Sequence, residues 1–139
     1  MNPGPRLFSI LKQGPTLIAS IHTALDDSQL ERFREDLIDR IGRDRARGVI
    51  IDVAALDVID SFASRTLSRI GEMARLRGAS LVIVGIQPDV AFAMAALGMR
   101  PGGVRTALDL EEGLGMLRET QNAPASRRRG PARARAASA

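Results

Sequence analysis

The chain holds no cysteine, tryptophan or tyrosine, four phenylalanines and one histidine in 139 residues. Without cysteine, a disulfide framework, thiol catalysis and cysteine-ligated zinc or iron–sulfur centres are excluded. With so few aromatics, the interior has to be assembled from Leu, Ile, Val, Ala and Met. The lone histidine, His22, lacks the companion ligands or nucleophile that a metal site or catalytic triad requires, and it reads as a surface residue after a strand. No apolar run approaches the roughly 20 residues that cross a bilayer, and the start, MNPGPRLF, lacks a charged-then-apolar signal pattern. A cytoplasmic location is the expectation. Glycine-rich phosphate loops are missing as well: Gly85-Ile86-Gln87-Pro88 has neither a second glycine nor a lysine.

What is present begins with charge. The formal net charge is +4, and all but one of the basic residues are arginine, the exception being Lys12. Five arginines (127, 128, 129, 133 and 135) fall in the last twenty residues, where there is no acid. With these set aside, 15 basic residues face 16 acidic ones, so the remainder is close to neutral. From Gln121 onward the composition shifts to Ala, Arg, Pro, Ser and Gly without apolar periodicity. Residues 1–120 are therefore expected to form one domain, followed by a disordered tail at 121–139. Nucleic-acid association through that tail is an alternative reading. The neutral remainder and the lack of an aromatic stacking pattern argue against it.

Residues 6–13 and 15–21 read as a strand pair turning at Gly14. Asp26-Asp27-Ser28 offers three possible N-caps for a helix whose apolar face is Leu30, Phe33, Leu37, Ile38 and Ile41, ended by Gly42. Val49-Ile50-Ile51 is a short continuous apolar run, as in a strand covered on both faces. A helix from about 62 to 76 follows, with Phe62, Leu67, Ile70, Met73 and Ala74 near helical spacing and Arg65, Arg69, Glu72 and Arg75 on other faces. Residues 80–84 form another buried run. A short helix then spans 89–97 and ends at Gly98, a brief strand lies near 104–106, and Asp109 caps a last helix to about Thr120. Gly113 and Gly115 lie inside that helical pattern and weaken it. Strands alternating with helices predict an α/β fold, a mixed central sheet covered by about four helices. Sites in such sheets gather at the carboxyl ends of adjacent strands, here the loops 52–61 and 85–88.

The first of those loops carries Asp52, Asp57 and Asp60. Three carboxylates could hold magnesium, as in a phospho-acceptor receiver domain. That reading needs an acidic pair after the first strand and a lysine near the last, and neither is present. Loop turns and a helix cap explain the three aspartates more simply. Ser61, standing immediately before the apolar-periodic run, reads first as a cap itself. No catalytic constellation is visible, and the chain is expected not to be an enzyme.

Val58-Ile59-Asp60-Ser61-Phe62, following Val49-Ile50-Ile51-Asp52, resembles the phosphorylation site of STAS domains, the fold of anti-sigma-factor antagonists and stressosome proteins. The other matching segments are Leu25-Asp26-Asp27, Gly85-Ile86-Gln87-Pro88, Ala95-Ala96-Leu97-Gly98, and Thr106-Ala107-Leu108-Asp109-Leu110 with Glu111 and Gly113. The resemblance is collinear over residues 6–119 and is greatest to small single-domain stressosome members. It implies a STAS fold and a phospho-acceptor role for Ser61. Asp57, Asp60, Phe62, Ser64 and Arg65 would be the flanking surface that meets a partner. Ser64 and Thr66 lie within a turn of Ser61, but the motif does not make them acceptors. The implied partners are a switch-type serine kinase, larger STAS-domain paralogues and a PP2C-type phosphatase, in a large oligomeric assembly. No cofactor, membrane or nucleic acid is implied. The unphosphorylated protein would sequester the kinase and phosphorylation would release it. A stand-alone antagonist of an anti-sigma kinase is the alternative within the family.

Overall fold

The computed structural model describes residues 6–96 and 104–122. Its elements are β1 (Phe8–Gln13), β2 (Thr16–Ile21), α1 (Asp27–Asp44), β3 (Gly48–Asp52), α2 (Ser61–Leu76), β4 (Ser80–Val84), α3 (Pro88–Ala96), β5 (Arg105–Ala107) and α4 (Leu110–Asn122). The five strands form one sheet in the order β1-β2-β3-β4-β5. β1 runs antiparallel to β2, and the remaining neighbours are parallel. This is the expected mixed sheet with four helices.

The continuous apolar runs are explained by burial on both faces. Val49 and Ile51 of β3, with Leu81 and Ile83 of β4, point into the larger core. There they meet Phe33, Leu37 and Ile41 of α1, Leu67, Ile70 and Ala74 of α2, and Val90 and Met94 of α3. Ile50, Val82 and Val84 point the opposite way, onto Leu117 of α4. Successive strand residues therefore serve different layers, and neither face leaves room for a polar side chain. At the sheet edge the Phe8 ring meets Phe33 edge-on at 5.0 Å and ties the hairpin to α1.

Three sequence readings are revised. Helix α1 does not stop at Gly42: it continues to Asp44 and ends at Arg45, whose φ of 52° is left-handed and whose N–H returns to the Ile41 and Gly42 carbonyls. Met73 leaves the apolar stripe of α2 and is 37% exposed. Helix α4 passes Thr120 and takes in Gln121 and Asn122. The disorder expected for the rest of the tail, and the helix end expected at Leu97-Gly98, lie outside the described residues.

Gly113, which weakens α4 locally, is what allows that helix to seat. A Cβ there would stand 2.7 Å from Val84 Cγ1 and 2.9 Å from Ile50 Cδ1, inside contact distance. The helix axis approaches the sheet because the residue has no side chain.

Candidate functional site

The loop joining β3 to α2 is anchored from below. Val53, Leu56 and Ile59 are buried, at 1, 7 and 5% exposure, while Asp57 and Val58, and Asp60 after Ile59, face solvent. Val53 N donates to Val84 O at 3.0 Å, extending the ladder beyond β3. Asp52 Oδ1 accepts from Ala54 N at 2.9 Å, and Leu56 N donates to Val53 O at 2.9 Å, giving two turns in succession. The neighbouring loop after β4 clamps this one: Gln87 Nε2 donates to Ala54 O at 2.8 Å. Gly85 sits at φ +82°, and a Cβ on it would lie 2.9 Å from Ala54 Cβ. Only glycine meets both demands.

Asp60, not Ser61, caps α2. Its backbone is extended (φ −81°, ψ −179°) and its Oδ1 accepts from Ala63 N at 2.8 Å, while Ser64 N closes the first helical bond to Asp60 O at 2.9 Å. Ser61 is thus the first residue inside the helix, exposed, with its hydroxyl not used for capping. The amides of Ser61 and Phe62 precede the first helical bond and have no carbonyl of their own helix to bond. They give the end of α2 a partial positive charge beside the Ser61 hydroxyl.

The flanking residues separate into three groups. Asp57, Asp60 and Arg65 are exposed, and Arg65, four residues on, lies on the same side of α2 as Ser61. Phe62 is half-buried and packs against the larger core. Ser64 and Thr66 are 5 and 4% exposed and face inward. The expectation that Ser64 belongs to a partner-facing surface is therefore corrected: the turn that exposes Ser61 and Arg65 carries Ser64 to the sheet side, in line with Leu67. Beside the cap lies an apolar hollow of about 120 Å³ lined by Leu25, Leu30, Leu56, Val58, Ala63 and Leu67, with Asp60 also at its wall. No periodicity in the sequence marks this hollow, because α1, α2 and two loops build it together. The signal available was Val58, a large apolar residue in a loop, which is 71% exposed.

This end of the molecule is acidic. Besides Asp52, Asp57 and Asp60 it carries Asp26, which caps α1 through Gln29 N, Asp89 in the first turn of α3, and Asp109, which accepts from Glu112 N. Asp52 and Asp60 each commit an oxygen to a backbone amide, and no group of three carboxylate or histidine side chains among the described residues is placed to hold a metal ion. His22 is exposed, with Nε2 3.1 Å from Ser9 Oγ, at the edge of the sheet. A hollow of about 560 Å³ lies between β1 and α1, where Asp39 and Arg43 face each other at 3.6 Å. It takes no part in the Ser61 site. No helix among the described residues is long and apolar enough to cross a membrane.

Comparison with known proteins agrees with this architecture. Residues 8–112 match the model of the STAS domain. A solved RsbS variant from Moorella thermoacetica, with a serine replaced by glutamate, is 35% identical, superposes with a TM-score of 0.73, and is covered over 97% of its length by 83% of this chain. A chain from the molecular architecture of the stressosome, a signal integration and transduction hub, is 31% identical with a TM-score of 0.67, covering 83% of this chain and all of that one. The RsbT co-antagonist protein RsbRA of Bacillus subtilis is 28% identical over 90 residues. That match takes in 65% of this chain and about a third (33%) of the Bacillus protein's length.

Proposed function

The chain belongs to the STAS-domain family, and from that premise we propose that it is a phospho-switch scaffold of the stressosome type. In this reading it binds a switch-type serine kinase, with larger STAS paralogues, and releases the kinase when Ser61 is phosphorylated. A PP2C-type phosphatase reverses the modification. The observation that carries the proposal is the placement of Ser61: exposed, first in its helix, free of the capping bond, and held by a loop with three buried anchors.

The transfer moves the γ-phosphoryl group of ATP to Ser61 Oγ, with loss of the hydroxyl proton and departure of ADP. The product adds about −1.5 to −2 charges at pH 7. The open amides of Ser61 and Phe62 and the guanidinium of Arg65 can receive part of that charge. Asp57 and Asp60 oppose it. Because Asp60 keeps Ala63 N, the cap and the helix survive modification. The effect is felt by whatever docks over the apolar hollow. An unmodified hydroxyl on the residue after Asp60, which stands at the wall of the hollow, costs little to cover, whereas a phosphate dianion costs several kcal/mol to strip of water unless it is paired. A loss of about 3 kcal/mol weakens affinity on the order of a hundredfold.

The test is incubation with a cognate kinase and ATP, intact-protein mass spectrometry, and a pull-down of kinase on each form. Wild type gains one phosphate and loses the kinase; Ser61→Ala gains none and keeps it. A phosphorylated Ser61→Ala protein, or equal retention of kinase by both forms of wild type, would refute the reading. Recovery of larger STAS paralogues in the same pull-down separates the stressosome reading from that of a stand-alone antagonist.

A further inference from the structure

The two edges of the sheet differ. β5 is three residues long and exposes Arg105 and Thr106, so it offers little to pair with. β1 is six residues long, keeps unbroken register with β2 from Phe8 to Gln13, and carries one charged residue, Lys12. Its open side follows from its closed one. His22 N donates to Leu7 O at 2.9 Å, and successive residues of an antiparallel strand bond to alternate sides. Leu7, Ser9 and Leu11 therefore turn their backbone groups to β2, whereas Phe8, Ile10 and Lys12 turn theirs outward. On the α1 face this edge borders the hollow of about 560 Å³, whose lining includes Ile10, Asp36, Asp39, Arg40 and Arg43. The ion pairs Arg40–Asp44 and Arg43–Asp39 leave out Asp36, which is exposed. On the other face Leu11 is 61% exposed beside Ile18, its neighbour in register, while α4 packs on β3, β4 and β5.

We propose that β1 pairs antiparallel with β1 of a second copy, about a two-fold axis through Ile10, so that the two sheets become one. Centred there, Ile10 bonds its own counterpart and Phe8 bonds Lys12 of the second copy, giving about six backbone bonds and using every outward group of the strand. An axis at a neighbouring residue uses fewer, and one at Lys12 sets two ammonium groups opposite each other. The same axis decides which helix residues meet. β1 and α1 both run against β2, and they touch where the Phe8 ring meets Phe33 at 5.0 Å. Ile10 lies about 6.6 Å farther along, the rise of roughly four helix residues, so the axis passes α1 near Ile38. Asp36 and Arg40 stand two residues to either side of it and line the hollow at this edge. Asp36 of each copy therefore faces Arg40 of the other, the self-complementary pattern that a two-fold contact requires. On the opposite face Leu11 lies across from Ser9 of the second copy and diagonal to its Leu11, within side-chain reach. An extended peptide could bond the same edge, but it would gain nothing from the alternation of Asp36 and Arg40. Helix α1 stands between this edge and α2, so both Ser61 residues stay open, and the pairing does not depend on the kinase switch.

The test is sedimentation velocity of the full chain from about 1 to 100 μM, where an edge contact of this size gives a monomer–dimer equilibrium. Asp36→Arg and Arg40→Asp each raise the dimer Kd by about tenfold or more, because like charges then meet at both symmetric contacts. An equimolar mixture of the two variants dimerises again, since each supplies the charge the other lacks. Leu11→Arg weakens the dimer, Ser61→Ala leaves it unchanged, and thermal melts of all variants stay near wild type. Register is read by cysteine trapping, with no background because the chain has no cysteine of its own. Ser9→Cys mixed with Leu11→Cys oxidises to a disulfide-linked heterodimer faster than either variant alone, because the two positions are directly opposite. The cysteine pair leaves every charge in place, so it tests the strand contact even where a charge reversal perturbs α1. Four outcomes overturn the proposal: a monomer at every concentration, including one that captures an extended peptide at this edge; a dimer indifferent to the charge reversals and to Leu11→Arg; a mixture of folded charge variants that stays monomeric; or a mixed disulfide that forms no faster than the homodimeric ones.

Discussion

Asp60→Ala is the substitution that best separates capping from signalling. The Asp60 carboxylate accepts from Ala63 N at 2.8 Å, and the first helical bond closes directly behind it. Removing the acceptor should cost about 1 kcal/mol, within roughly 0.5–2 kcal/mol for exposed caps. For a domain of this size that lowers Tm by on the order of 4 °C. Ser61 makes no capping bond, so Ser61→Ala should cost less than about 0.5 kcal/mol, an ordinary surface change. Asp60→Asn keeps an acceptor oxygen and removes the charge, so its stability should stay within a few tenths of a kcal/mol of wild type. Urea denaturation followed by circular dichroism, with m-values compared to confirm two-state behaviour, reads all three. If Ser61→Ala destabilises as much as Asp60→Ala, the serine is part of the cap and the site geometry derived above is wrong.

Leu67→Ala and Ile70→Ala should each cost about 2–5 kcal/mol, while Arg65→Ala and Arg69→Ala leave the urea midpoint nearly unchanged. Ser64→Asp should unfold or severely destabilise the domain because it buries an unpaired charge, whereas Ser61→Asp folds normally; similar melting curves for the two would contradict the burial of Ser64. Gly113→Ala should lose about 1–3 kcal/mol despite raising helix propensity, and a stabilised variant would show that α4 does not press on Val84 and Ile50. Raising salt should fail to restore kinase binding to the phosphorylated protein, because a desolvation cost is not screened; recovery at high salt would assign release to repulsion between exposed charges instead.

The strands and helices were legible because their signals are local. Val49-Ile50-Ile51 and residues 80–84 read as two-faced buried strands, and α2 showed its stripe through Leu67, Ile70 and Ala74. The cap was ambiguous for a physical reason: Asp60 and Ser61 are both competent cap residues, and the choice rests on which backbone is extended. Ser64 was legible in principle, since it precedes Leu67 by three and Ala74 by ten, the spacing of one helical face. The sequence motif drew attention to its closeness to Ser61 along the chain and away from that face. Gly113 could not be read, because its reason is the distance to two strands. Nor could the hollow beside the cap, whose walls come from segments some 40 residues apart.

Charge segregation was present in the sequence and hidden by adding it up. Carboxylates sit where strands hand over to helices (Asp26, Asp60, Asp89, Asp109), and arginines where helices hand over to strands (Arg45, Arg47, Arg75, Arg77). Each placement complements a helix dipole and is worth about 0.3–1 kcal/mol to its own helix. Because all the parallel strands point the same way, these local choices sum to a molecule with one acidic and one basic end. The proposed switch must then work on a surface already negative. A partner able to bind that end unmodified has to tolerate or complement its carboxylates, so added charge alone would not repel it reliably. What phosphorylation of Ser61 would change is the cost of drying the surface next to Asp60, at the wall of the apolar hollow. Release therefore depends on how closely the partner covers Ser61: a partner that leaves the serine wet would keep its grip, and one that seals the hollow would lose it.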